Sequence, residues 1–94
     1  MDMPREIPPE QSLITYPTHF PIKVMGANVD GFAEAITQIA RAFDPDFDAR
    51  TLELRPSKAG NYMGLTVTLR VTSRDQLDEV YRTLTTHPMV KVVL

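Results

Sequence analysis

The chain has 94 residues, 43% hydrophobic and 23% charged, with a formal net charge of −2. That size permits one domain with one core between two layers of secondary structure, and excludes a second domain or a large enclosed catalytic cavity. There is no cysteine, and the ten Lys and Arg residues are scattered, which removes thiol chemistry and disulfides and argues against nucleic acid, whose binders usually carry a basic stripe.

Residues 1–12 hold Pro4, Pro8 and Pro9 and little to bury. They predict a disordered tail rather than a signal peptide, leaving a single domain over residues 13–94. No segment approaches the roughly 20 apolar residues of a membrane span. The expected location is the cytoplasm, which a cysteine-free chain also fits. Leu13, Ile14 and Tyr16 are placed to dock on the domain before Pro17 turns the chain.

From His19 to Ala27, Phe20, Ile22 and Val24 alternate with Pro21, Lys23 and Met25, the period of a strand with one buried face. Gly26 and Asn28 are read as punctuation at its end. A helix is expected over Asp30 to Phe43, capped by Asn28 or Asp30. Its apolar stripe is Phe32, Ile36, Ile39, Ala40 and Phe43, at helical spacing. Asp44-Pro45 ends it, because the residue before proline resists helical geometry.

Thr51 to Arg55 reads as a short strand with Leu52 and Leu54 turned one way. The loop Pro56 to Asn61 leads into the longest strand, Tyr62 to Thr72, where Leu65, Val67, Leu69 and Val71 occupy every second position. Ser73 and Gln76 form a capping box that opens a second helix, with Leu77, Val80, Tyr81 and Leu84 inward. Met89 to Leu94 is a last strand, with Val90, Val92 and Leu94 expected on one face.

The order strand, helix, strand, strand, helix, strand predicts an α+β ferredoxin-like sandwich. Right-handed crossovers put both helices on one face of a four-stranded antiparallel sheet ordered 4-1-3-2. The opposite face is left open, with Lys23, Met25, Glu53, Arg55, Thr66, Thr68 and Arg70 on it.

Three stretches resemble the YbeD-like family of small, uncharacterised bacterial proteins. They are Tyr16-Pro-Thr-His-Phe-Pro-Ile-Lys-Val-Met-Gly26, the loop Pro56-Ser-Lys-Ala-Gly-Asn-Tyr62, and Val90-Lys-Val-Val-Leu94. The resemblance covers residues 13–94. It implies an ACT-like fold, similar to regulatory domains that bind small ligands such as amino acids. The family's loop usually reads Pro-Ser-Ser-Lys-Gly-Asn-Tyr; here Lys58 stands one place early and Ala59 precedes Gly60.

The candidate site is Arg55, Ser57, Lys58, Gly60, Asn61 and Tyr62. Gly60 and Asn61 tolerate positive φ and can turn backbone N–H groups toward an anion, while Arg55 and Lys58 add charge. The plainer account of the same residues is a hairpin turn. The open sheet face offers an alternative, an RNA platform, but Tyr62 at its edge is its one aromatic, where base stacking needs several. Asp44-Pro45-Asp46-Phe47-Asp48 opens like a calcium loop, yet Ala49 and Arg55 stand where glycine and glutamate belong, so an exposed loop is expected. His19 and His87 fall at opposite ends of neighbouring strands, so no shared metal is expected. The spacing of Gly26 and Gly31 lacks the Lys-Ser/Thr of a phosphate loop.

No nucleophile–base pair or paired carboxylate is evident, and no cofactor is implied. The reading is a non-enzymatic regulatory or interaction domain that binds a partner protein or a small anionic metabolite. The two edge strands, 51–55 and 89–94, also offer backbone for a homodimer.

Overall fold

The computed structural model describes residues 14–94. The tail expected over residues 1–12 and the docking of Leu13 lie outside the described residues. The elements are β1 (Thr18–Ala27), α1 (Phe32–Phe43), β2 (Glu53–Pro56), β3 (Tyr62–Val71), α2 (Arg74–Thr85) and β4 (Val90–Val93), with a one-turn 3-10 helix at Ala49–Thr51. The sheet runs β2-β3-β1-β4 and every pairing is antiparallel. This is the expected 4-1-3-2 order read from the other edge.

Alternation along the central strands sorts their side chains. Ile22 and Val24 of β1 and Leu65, Val67, Leu69 and Val71 of β3 are buried. They meet Phe32, Ile36 and Ala40 of α1 and Leu77, Val80 and Leu84 of α2 in a single core. Each large side chain taken wholly out of water adds about 1.5–3 kcal/mol. Tyr16 packs against the rim of this core, as does Leu52.

Four local features differ from the expectation. First, α1 starts at Phe32 behind Gly31 and has no side-chain cap. Asn28 turns away from the helix; its Nδ2 donates to the Gly60 carbonyl at 3.0 Å.

Second, Gly26, read as punctuation, is a close-packed position within β1. A Cβ there would overlap the Met89 carbonyl oxygen and lie 2.8 Å from the Phe32 ring. The β1–β4 register shifts between Met25 and Gly26, and this bulge changes the phase of β4. Val90 and Val93 therefore pack on the core, leaving Val92 and Leu94 exposed.

Third, Leu54 is 54% exposed, because β2 is an edge strand and the helices pack mainly over β3 and β4. Fourth, Asp44 is buried and does not belong to an exposed loop, and neighbouring Phe47 is a core residue.

The capping box expected at the start of α2 forms with a variation. Ser73 Oγ accepts the Gln76 N–H at 3.1 Å. Gln76 Oε1 takes the Thr72 N–H at 2.6 Å, and its Nε2 donates to the Phe43 carbonyl at 3.1 Å. One side chain thus ties the start of α2 to the end of α1.

Candidate functional site

The helices cover one face of the sheet, so the other is a concave polar surface. Strand pairing sets its rows: Lys23 lies beside Thr66 and Thr66 beside Glu53, while Met25 lies beside Gly64 and Gly64 beside Arg55. Gly64 carries no side chain, which leaves a depression between Met25 and Arg55. The resulting groove has a volume of about 420 Å³, and its lining includes Lys23, Met25, Glu53, Arg55, Ser57, Tyr62, Thr66 and Leu94. Among the described residues, no carboxylate is within ion-pair distance of Lys23 or Arg55.

The six sequence candidates divide into two sets. Arg55, Ser57 and Tyr62 line the groove. Lys58, Gly60 and Asn61 form the exposed tip of the β2–β3 hairpin and do not face it. The tip is held by backbone bonds: the Ser57 N–H donates to the Tyr62 carbonyl and the Gly60 N–H to the Ser57 carbonyl, both at 2.9 Å. Ser57 Oγ accepts the Tyr62 N–H at 3.0 Å. The Asn61 carbonyl accepts the Asn28 N–H at 2.9 Å, so the tip is also tied to the loop before α1. Gly60 has φ of 83°, the left-handed conformation that closes this turn.

Replacing Gly60 by alanine is expected to destabilise the fold by about 1 kcal/mol. Because no atom crowds that position, the cost is conformational, and an asparagine there should recover about half of it. Thermal unfolding of the two variants checks this; equal stability of alanine and glycine would contradict a strained turn.

Lys23 and Thr66 were not among the residues expected at the site. They are far apart in the chain and become neighbours only through the β1–β3 register. The signal available was their shared parity on the open face. The groups whose acidity is displaced lie elsewhere. The Arg50 guanidinium hydrogen-bonded to Asp48 holds its carboxyl below the usual carboxylate range, and partial burial pushes the Tyr81 hydroxyl up. Neither lines the groove. His19 pairs with Arg70 at one end of β1, while His87 Nδ1 accepts the Met89 N–H at 3.1 Å. The described residues contain no cluster of three or more metal-ligating side chains, and none of their helices is long and apolar enough to cross a membrane.

The groove brings together two cations, Lys23 and Arg55, one carboxylate, Glu53, the three hydroxyls of Ser57, Tyr62 and Thr66, and apolar surface from residues such as Met25 and Leu94.

Residues 11–94 match the family model described as "Protein of unknown function (DUF493)". A UPF0250 protein of Leptothrix cholodnii is 66% identical over 90 residues, covering 96% of this chain and 99% of that protein. The UPF0250 protein RSc0326 of Ralstonia nicotianae is 62% identical over 87 residues, covering 93% and 90%.

Among solved structures, the solution structure of protein HP0495 from H. pylori superposes with a TM-score of 0.71 at 18% identity, covering 86% of this chain and 85% of that one. The ACT domain from GTP pyrophosphokinase of Chlorobium tepidum superposes with a TM-score of 0.62 at 23% identity, covering 82% and 97%. These two likenesses establish the fold. Near-full-length matches to the family model and to close relatives place the chain, ACT-like in fold, in the DUF493 (UPF0250) family.

Proposed function

We propose that this protein is a non-enzymatic, cytoplasmic regulatory or interaction domain that acts by binding a small anionic metabolite, or the carboxylate of a partner protein, in the open-face groove. The observation that carries the reading is the convergence of Lys23, Arg55, Thr66 and Tyr62 on one concavity of about 420 Å³. Two cations placed there attract a carboxylate or phosphate, and hydroxyl donors fix its orientation. Met25 supplies apolar surface for a short chain or side chain. The ACT-like fold is compatible with such a role, although fold alone does not assign one. The cysteine-free composition supports the cytoplasmic setting. A nucleic-acid role fits less well, since Tyr62 is the sole aromatic among the residues lining the groove and stacking platforms use several.

Titration of isotopically labelled protein with amino acids, short-chain carboxylic acids and inorganic phosphate tests the proposal. The expected result is saturable shifts of the Met25, Gly64 and Thr66 amides with at least one carboxylate. Lys23→Ala should weaken that binding about tenfold, and Lys58→Ala, at the hairpin tip, should leave it unchanged. If no groove amide shifts with any ligand, or if Lys58→Ala is the variant that weakens binding, the assignment is wrong.

A further inference from the structure

β2 is exposed at all four positions, Glu53, Leu54, Arg55 and Pro56. Its inner edge pairs with Met63 to Thr66 of β3, and its outer edge faces solvent. The hydrogen-bond alternation of an antiparallel ladder determines which backbone groups point outward. The Ser57 N–H donates to the Tyr62 carbonyl, so Ser57, Arg55 and Glu53 direct their backbone groups toward β3. Leu54 and Pro56 direct theirs away. Pro56 has no N–H, so Leu54 is the one residue of β2 that offers both a donor and an acceptor to a new strand.

A strand that pairs with this edge must therefore centre on Leu54, and the chemistry around Leu54 is complementary to itself. Consider a second copy laid antiparallel about a two-fold axis through Leu54. The two Leu54 residues exchange both N–H···O=C bonds as a hydrogen-bonded pair. Glu53 of each copy then falls directly opposite Arg55 of the other, on the open face, in the closer-spaced pairs on either side of the Leu54 pair. On the helix face, the Leu54 side chains, each 54% exposed, meet each other. Met63 and half-exposed Val29, which adjoin Leu54 in the cleft beside the start of α1, extend this apolar contact.

β4, the other edge, carries one charged residue, Lys91. No register of β4 with itself sets opposite charged side chains against each other. An isologous contact requires a self-complementary patch, and Glu-Leu-Arg is the short edge that provides one.

We propose that two copies of this chain associate through β2, in the register Glu53–Arg55 and Leu54–Leu54 across a two-fold axis, into a continuous eight-stranded sheet built from four strands of each copy. The two grooves then lie on one shared face, and each is bordered at Glu53 by the Arg55 of the second copy. The proposal rests on the edge geometry and not on the identity of any groove ligand.

Charge reversal tests the register. Glu53→Arg alone sets like charges opposite each other in a homodimer, and so does Arg55→Glu alone. Mixing these two variants restores opposite charges at both pairs. Sedimentation equilibrium of the wild-type chain, 10.6 kDa as a monomer, should report twice that mass. Each single variant should dimerise about tenfold more weakly or worse, and their mixture should recover wild-type affinity as a heterodimer. Both positions are exposed, and an unchanged far-ultraviolet circular dichroism spectrum with cooperative unfolding confirms that each variant is folded. A wild-type chain that stays monomeric overturns the proposal. So does a dimer that both single variants keep intact, which would place the contact on another surface such as β4, and so does a mixture no tighter than its components.

Discussion

Gly26→Ala is expected to destabilise the protein by about 3 kcal/mol, the upper range for overpacking a filled interior. For a domain of this length that lowers Tm by about 15 °C. Gly26 is buried within β1, where the β1–β4 register shifts, and two neighbours crowd it. The Phe32 ring lies 2.8 Å from the point an alanine methyl would occupy, and the Met89 carbonyl oxygen is closer still. The ring can be made smaller but the carbonyl cannot.

A double-mutant cycle with Phe32→Leu separates the two contacts. It should show a favourable coupling of about 1 kcal/mol between positions 26 and 32, with most of the alanine penalty remaining. Thermal and urea denaturation provide the measurement. A Gly26→Ala variant melting within about 3 °C of wild type would mean that β4 moves away at little cost, and that the close approach does not hold the bulge in place.

The second large effect is expected at Asp44. β3 runs from Tyr62 to Val71, but β2 covers it only from Met63 to Thr66. Beyond that point the edge of β3 needs other partners for its outward backbone groups. Asp44 Oδ2 accepts the Arg70 N–H at 3.0 Å, and its Oδ1 accepts the Asp46 N–H at 3.1 Å. The buried carboxylate thus stands in for the missing strand and shapes the turn that places Phe47 in the core.

Asp44→Ala leaves two donors unpaired and should cost about 3 kcal/mol. Asp44→Asn keeps one acceptor oxygen and should cost about half as much. Hydrogen exchange distinguishes this account from general loosening: the Arg70 amide should lose protection in both variants before the rest of β3 does. Unchanged exchange at Arg70 together with an unchanged Tm would refute the role.

These two positions also show what sequence patterns conceal. The helix stripes, the alternation of β1 and β3, and the Ser73–Gln76 cap were legible, because each depends on residues a few places apart whose period matches one element. Asp44 was not. An acidic residue before proline at a helix end usually meets only water, and its partner Arg70 lies 26 residues away. Gly26 read as punctuation because nothing local shows that Met89 and Phe32 converge on it.

Leu54 failed for a related reason. Its parity is that of a core residue, but the helices do not reach the edge strand that carries it. The candidate site was half legible. Arg55, Ser57 and Tyr62 are close in sequence to the conspicuous loop and do reach the groove, whereas Lys58, Gly60 and Asn61 close the turn. Lys23 and Thr66 join the groove only through the strand register.

The sequence by itself determined the order and type of the elements, the strand arrangement and the face the helices cover. Short-range hydrophobic periodicity encodes the first of these, and the handedness of crossovers leaves few choices for the rest. Tertiary structure alone decided where the open face becomes concave, which charges share that hollow, how β4 is phased by the bulge at Gly26, and which edge residue is left uncovered. Those features arise from contacts between residues distant in the chain. No local pattern records such contacts, because the free energy that selects them comes from packing and register across the whole sheet.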